Sequence, residues 1–111
     1  MDGDRRQYSR AAFREGVQYK VPGQEALNGC LAYDISEGGI RFQGFNFVPL
    51  NTIVSVHIGL DLEKSLDLQG KVVWVQQAPH MDRYYVGLEF DHSQAWASSR
   101  STIQNYIKSH H

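Results

Sequence analysis

The sequence predicts an all-β domain that ends in a single α-helix. Apolar and polar residues alternate with a period of two through most of the chain, as in strands with one buried face. Near the C-terminus, the apolar residues recur at helical spacing instead. About five to seven short antiparallel strands followed by one helix are expected to form a small β-barrel or β-sandwich, with the helix packed against it.

The composition limits what the protein can be. The chain has 111 residues, of which 41% are hydrophobic and 21% charged, so we expect one globular domain. A formal net charge of −1 argues against general binding to nucleic acid. The basic residues are nevertheless concentrated near the N-terminus, where we expect any anion site to lie. Five of the eleven occupy the first twenty positions: Arg5, Arg6, Arg10, Arg14 and Lys20.

The first half of the chain contains three predicted strands. Residues 17–21 alternate and form the first strand, and residues 30–35 form the second. The pair Gly38-Gly39 then turns the chain into a third strand at residues 40–42. We therefore expect the second and third strands to form a hairpin.

The alternation is clearest in the second half of the chain. Residues 54–60, 66–74 and 84–90 each predict a strand. His57 falls on the polar face of the first of these, so we expect it to face solvent. Trp74 shares a face with the apolar residues at the start of its strand, so we expect it in the core or against the helix.

A helix is predicted after the last strand. Asp91 and Gln94 have the spacing of a capping box with Asp91 as the cap. Apolar residues then recur at helical intervals, at Trp96, Ile103, Tyr106 and Ile107. The last residues, 109–111, resemble the remnant of a purification tag.

Several features favour a cytoplasmic protein that does not insert into a membrane. Cys30 is the single cysteine, which excludes an internal disulfide framework and suits a reducing compartment. The first residues lack the apolar stretch of a signal peptide, and no apolar run is long enough to span a bilayer. Cys30 and the internal histidines, His57, His80 and His92, lack the short spacings of a zinc site. We therefore expect no metal and no cofactor. Cys30 and His57 could in principle form a nucleophile pair, but a lone cysteine in a strand is more often a small buried hydrophobe, so we also expect no enzyme activity.

Near the N-terminus, two arginines have a spacing that suits anion binding. Arg6 and Arg10 are four residues apart, close enough for two guanidinium groups to bind one anion. Arg10 and Arg14 have the same spacing, so the spacing alone leaves both pairs open. A solvated basic tail would also explain these residues.

A second motif combines an acceptor, a hydroxyl and a glycine at the end of a predicted strand. Asp34, Ser36 and Gly39 form the pattern Asp-x-Ser-x-x-Gly, which is expected about 0.05 times by chance in a chain of this composition. The same residue types favour a plain hairpin turn. A turn and a binding site are compatible at these positions.

Together, the two motifs resemble those of the PilZ family of cyclic di-GMP receptors, where Arg-Arg-x-x-x-Arg precedes Asp-x-Ser-x-x-Gly. Residues 70–75 are similar to a barrel strand of the family and residues 85–90 to its closing strand, so the resemblance extends over residues from about 5 to 108. It implies a six-stranded antiparallel β-barrel of the split-barrel type with one C-terminal helix. It also implies an arginine-bearing loop at residues 1–16, followed by the barrel and helix at residues 17–108.

The resemblance implies binding roles for the N-terminal arginines. Arg6 and Arg10 would bind the phosphates and guanines of cyclic di-GMP, since a guanidinium group can pair with both and stack on a base. Arg5 stands at a position that the family associates with a second, intercalated ligand molecule. Arg14 would then be a surface charge.

The resemblance also implies roles for the turn. Asp34 would accept hydrogen bonds from the ring and amino N–H groups of guanine. Ser36 would donate to a phosphate or to a neighbouring motif residue, and Gly39 would allow a positive φ and leave room for the ligand. The implied ligand-binding residues are Arg5, Arg6, Arg10, Asp34, Ser36, Gly38 and Gly39.

The function that the resemblance implies is a cyclic di-GMP receptor or adaptor. Its N-terminal loop would order around the ligand and change the surface offered to an unidentified effector protein, in motility, exopolysaccharide synthesis or attachment. The alternative is a nucleotide-independent adaptor of the same fold, using the helix face around Trp96 and Tyr106. An oligonucleotide-binding barrel, suggested by Phe42, Phe45 and Phe47, is disfavoured by the net charge.

Overall fold

The computed structural model describes residues 10–12, 16–21, 23, 28–45, 47–61 and 63–110. Within these ranges the chain forms seven β-strands and one α-helix. They are β1 (Arg10–Ala12), β2 (Gly16–Lys20), β3 (Asn28–Ser36), β4 (Gly39–Gly44), β5 (Ile53–Gly59), β6 (Ser65–Gln77), β7 (Tyr84–Phe90) and α1 (Gln94–His110). No helix in the described part of the chain is long and apolar enough to cross a bilayer.

The sheet closes on itself. Antiparallel pairs follow the order β3, β2, β5, β6, β7 and β4, and β4 pairs back with β3. The six-stranded antiparallel barrel with one C-terminal helix is therefore confirmed. β1 pairs with the same edge of β3 as β2 does, with Ala12 opposite Asp34 and Gly16 opposite Leu31. This short strand lies inside the segment that the sequence predicts as a loop, and the division into loop and barrel stays a prediction.

Alternating strand residues and one face of α1 form a common core. The largest fully buried side chains on the strands include Tyr19, Phe42 and Phe90. On α1, Trp96, Ile103 and Ile107 belong to the same buried cluster. Burial of each such side chain stabilises the fold by about 2 kcal/mol. Apolar packing therefore anchors the helix on the barrel.

Two β-bulges change which side chains face outward. One lies in β3 between Ala32 and Asp34, and the other lies in β6 between Val72 and Trp74. An extra residue in one strand reverses the alternation beyond it. Trp74 is consequently 37% exposed, and the prediction that it lies in the core or against the helix is wrong.

The cap of α1 differs from the predicted one. Ser93 Oγ accepts the Trp96 N–H at 3.3 Å, as an N-cap side chain does. Asp91 instead donates its own N–H to the Gln69 carbonyl oxygen at 2.8 Å, which ties it to β6. The prediction that Asp91 caps the helix is therefore wrong, and Ser93 takes that role.

Candidate ligand-binding surface

The Asp-x-Ser-x-x-Gly motif forms the tight turn between β3 and β4. Ser36 Oγ accepts the N–H groups of Gly38 at 3.2 Å and Gly39 at 3.1 Å, and donates to the Gly39 carbonyl oxygen at 3.4 Å. The Phe90 N–H donates to the Gly38 carbonyl oxygen at 2.8 Å. The turn is thus held by hydrogen bonds within it, to the Ser36 hydroxyl, and by one hydrogen bond from β7.

Gly39 is needed because β4 approaches β7 closely at this point. A Cβ atom at Gly39 would lie 2.1 Å from the Leu88 carbonyl oxygen, far inside any normal contact. Among the glycines that the structure describes, the one with a positive φ is Gly23, so the expected positive φ at Gly39 is wrong. The space next to Gly39 is filled by backbone of the barrel itself.

The carboxylate of Asp34 is paired with an arginine of the adjacent strand. Arg41 lies opposite Asp34 in the β3–β4 register, and its Nε donates to Asp34 Oδ1 at 3.0 Å and Oδ2 at 2.8 Å. Arg41 Nη2 also donates to Oδ2. The Asp34 side chain is 12% exposed. The hydrogen bonds from Arg41 to Asp34 raise the pKa of the arginine, and they outweigh its partial burial.

Sequence reasoning missed Arg41 as a site residue, although the register contained the signal. A hairpin in which Ser36 pairs with Gly39 must place Ile35 opposite Ile40 and Asp34 opposite Arg41. Residues directly opposite each other on one face of a sheet are close enough to form an ion pair. Counting residue pairs back from the turn therefore predicts that Asp34 and Arg41 are paired.

Aromatic side chains surround this ion pair on the outer surface of the barrel. The Arg41 guanidinium carbon lies 5.4 Å from the centre of the Tyr33 ring. Tyr85 meets Tyr33 edge to face at 5.8 Å and stacks with Trp74 at 6.5 Å, with 14° between the latter rings. We call these five residues, Tyr33, Asp34, Arg41, Trp74 and Tyr85, the candidate face. It combines a carboxylate, a guanidinium group and ring surfaces.

A glycine of β7 lies between two members of the candidate face. Asp34, Arg41, Gly87 and Trp74 are successive partners across β3, β4, β7 and β6. A Cβ atom at Gly87 would lie 3.4 Å from Trp74 Cβ and 3.8 Å from Arg41 Cγ. These are ordinary van der Waals distances, so Gly87 lies directly between the side chains of Trp74 and Arg41.

The strand β1 brings one motif arginine to the turn. In the β1–β3 register, Arg10 lies opposite Ser36 and Ala12 lies opposite Asp34. Arg5, Arg6 and Arg14 lie outside the residues that the structure describes. The backbone thus places Arg10 beside the second motif, more than 20 residues away in sequence.

A family comparison agrees with this arrangement. The model of the PilZ domain matches residues 4–109. The chain belongs to the PilZ family.

Solved PilZ structures share the fold of this chain. The inhibitor of motility MotI from Bacillus subtilis matches with a TM-score of 0.76 and 22% identity, over 94% of this chain and 50% of MotI. The PilZ domain of YcgR from Escherichia coli, solved with c-di-GMP, matches with a TM-score of 0.75 and 13% identity, over 96% and 91% of the two chains. PlzA from Borreliella burgdorferi, in complex with c-di-GMP, matches with a TM-score of 0.67 and 15% identity, over 96% of this chain and 42% of PlzA. The chain thus spans about half of the length of MotI. A comparison with curated protein sequences finds no match.

Two other groups of this PilZ domain that could carry chemistry, Cys30 and His57, lie outside the candidate face. Burial raises the pKa of the Cys30 thiol to about 12, and its Sγ donates to the Val17 carbonyl oxygen at 3.3 Å, so the thiol is a poor nucleophile. His57 faces solvent as predicted, with Nδ1 2.8 Å from Asp67 Oδ1. Among the described residues, no three histidine, cysteine or acidic side chains are grouped to hold a metal ion.

Proposed function

We propose that this PilZ domain is a cyclic di-GMP receptor that binds the dinucleotide between its N-terminal arginines and the candidate face. The pairing of β1 with β3 carries the proposal, because it puts Arg10 opposite Ser36 and so brings the backbones of the two motifs together. The c-di-GMP complexes of YcgR and PlzA, which share the fold, support it.

The chemistry of each group suits this ligand. Arg6 and Arg10 provide forked donors for phosphate and for the O6 and N7 edge of guanine. Trp74 and Tyr85 offer ring faces on which a base can stack. Asp34 accepts the N1–H and amino N–H groups of guanine, which adenine cannot supply in the same pattern.

Binding at Asp34 requires an exchange of partners. Arg41 donates to both oxygens of the Asp34 carboxylate, so a guanine that pairs with both oxygens must displace the guanidinium group from at least one of them. The released guanidinium stays next to Tyr33 and carries a positive charge beside an anionic ligand. Ser36, Gly38 and Gly39 act indirectly in this proposal, since they hold the turn that positions Asp34.

The proposed response takes place at the N-terminus. Residues 1–16 order around the ligand and alter the surface that an effector protein meets, and Arg5 recruits a second ligand molecule. The name of MotI, an inhibitor of motility, favours motility over exopolysaccharide synthesis or attachment as the regulated process. A cytoplasmic location belongs to the proposal, since a lone cysteine suits a reducing compartment.

The helix face that the sequence suggested as the docking surface of a nucleotide-independent adaptor is packed against the barrel. Trp96 is 7% exposed, and its indole N–H donates to the Glu37 carbonyl oxygen at 2.9 Å. Tyr106 packs against the same core. The prediction that this helix face is free to dock a partner is therefore wrong.

Isothermal titration of cyclic di-GMP tests the receptor. We expect saturable binding to the unmodified protein, which excess GTP does not abolish, and loss of binding in Arg10→Ala. Lys64→Ala is the control for the loss of one positive charge, because Lys64 is exposed between β5 and β6, about 30 Å along β6 from Trp74. A stoichiometry near two supports the role of Arg5. A folded protein that shows no binding at high micromolar ligand would refute the receptor and favour an adaptor that works through another surface.

A further inference from the structure

Glu37 is a buried acidic residue at the tip of the candidate ligand-binding turn. It is 7% exposed, although it occupies a variable position of the motif and a turn position where charged residues are usually solvated. Its carboxylate is bound from α1, where Arg100 Nε donates to Oε1 and Gln104 Nε2 donates to Oε2 at 2.9 Å. We call Glu37, Arg100 and Gln104 the Glu37 clamp.

The main chain of Glu37 is held by the same helix. Trp96 Nε1 donates to the Glu37 carbonyl oxygen at 2.9 Å. The Trp96 ring in turn stacks on His92 at 3.9 Å and lies 4.7 Å from the Arg100 guanidinium carbon. About two turns of the helix thus fix both the backbone and the side chain of a single residue of the β3–β4 turn.

The charge state of Glu37 agrees with a tight clamp. Burial alone would raise the pKa of Glu37, but the hydrogen bonds from Gln104 and Arg100, with the positive charge of Arg100, lower it below its ordinary value. The carboxylate is therefore ionised at neutral pH. A buried carboxylate that loses such partners is strongly destabilised, so the clamp resists separation of turn and helix.

The residues on each side of Glu37 belong to the proposed binding site. Ser36 precedes it and Gly38 and Gly39 follow it, and Ser36 Oγ is bonded to the N–H groups of both glycines. A displacement of α1 that pulls on Glu37 must therefore change the turn that positions Asp34. The connection between α1 and the motif is short, because Glu37 contacts the helix and its neighbours in the chain, Ser36 and Gly38, belong to the motif turn.

We propose that Glu37 is a positioning residue that couples α1 to the cyclic di-GMP site through the Glu37 clamp. The proposal rests on the proposed receptor function. A partner that displaces α1 weakens ligand binding, and by linkage the ligand holds α1 more firmly on the barrel. The helix is then the element through which ligand occupancy reaches an effector protein.

Arg100→Gln tests the clamp, with Lys108→Gln as the matched control. Each variant removes one positive charge from α1, and Lys108 is exposed about 12 Å further along the helix. Both variants should fold, because Trp96, Ile103 and Ile107 still anchor the helix in the core. Glu37→Gln is a second variant that removes the charge from the turn and leaves the helix sequence unchanged.

The first measurement uses protein without ligand. We expect the Gly38 and Gly39 amide protons to exchange at least about fivefold faster in Arg100→Gln and in Glu37→Gln than in Lys108→Gln. Unchanged exchange in both clamp variants overturns the proposal, whatever the protein binds.

The second measurement uses cyclic di-GMP. We expect the Kd to rise about fivefold in Arg100→Gln relative to Lys108→Gln. Bound ligand should also slow amide exchange in residues 96–104 of the unmodified protein but not of Arg100→Gln. Equal Kd values in the two variants overturn the coupling and leave the receptor standing. If the unmodified protein binds no cyclic di-GMP while the glycine amides respond to Arg100→Gln, the receptor is refuted and the positioning role of Glu37 is retained.

Discussion

Replacing Gly39 by alanine should destabilise the barrel in the absence of any ligand. The new Cβ atom would lie 2.1 Å from the Leu88 carbonyl oxygen, whereas real contacts of this kind are not found below 3.0 Å. β4 and β7 would have to separate by about 1 Å at a point where Gly39 pairs with Glu89. The obstacle is backbone, so no rotation of a side chain can relieve it.

The expected cost is at the upper end of that for overpacking, about 3 kcal/mol in the free energy of unfolding. For a domain of this size, that corresponds to a fall in Tm of about 12 °C. Urea unfolding followed by circular dichroism measures it, and we expect a lower midpoint with an unchanged slope.

Gly59→Ala is the control for this measurement. Gly59 ends β5, and a Cβ atom there would meet nothing within 4 Å, so its effect should stay within about 0.5 kcal/mol. If Gly39→Ala unfolds at the same urea concentration as Gly59→Ala, the close approach of β4 and β7 is refuted as the reason for the motif glycine. Its explanation would then lie in ligand binding alone.

Three further outcomes are expected. Arg41→Gln removes the Arg41 charge from the Asp34 carboxylate and should lower the free energy of unfolding by about 1 to 2 kcal/mol, as measured by thermal melts. Arg41→Lys should have an intermediate stability. If Arg41→Gln melts at the same temperature as the unmodified protein, the ion pair does not stabilise the fold. Because the pKa of Glu37 is lowered, its stabilising effect is present above the ordinary glutamate pKa and is lost as the pH falls through the folded value. The difference in unfolding free energy between the unmodified protein and Glu37→Gln should thus be constant above about pH 5 and shrink below about pH 4. Urea titrations at several pH values measure it, and a difference that stays the same at every pH would contradict the lowered pKa of Glu37. Trp74→Ala should weaken cyclic di-GMP binding at least about tenfold by loss of stacking, while Val73→Ala, in the adjacent bulge, should leave the Kd unchanged; equal affinities would remove Trp74 from the site.

The strands and their faces could be predicted where the pairing is regular. His57 lies on the solvent side because β5 alternates without interruption. Trp74 was misplaced because a bulge adds a residue to β6, and nothing in the alternation of residues 66–74 marks the position of that bulge. The same effect hid Trp74 as a member of the candidate face.

The motif turn could be predicted as a turn, but its surroundings could not. Asp34, Ser36 and Gly39 are residue types that favour a hairpin, and they form one. The partners of the Glu37 side chain come from α1, more than 60 residues away, and contacts of that range depend on how the helix docks. Sequence spacing contains no information on such docking, so it does not identify Glu37 as a site residue.

β1 and β2 share one edge of β3, and this has a consequence for local stability. The ring of six strands closes through β2, whereas β1 contributes three residue pairs outside that ring. Detaching β1 therefore breaks a few backbone hydrogen bonds and its contacts with α1, but leaves the pairing of every ring strand intact. The segment that carries Arg10 can open and close at a small fraction of the free energy that unfolds the domain. Its amides should exchange by local opening, well before those of β6 and β7, whose pairing is part of the closed ring.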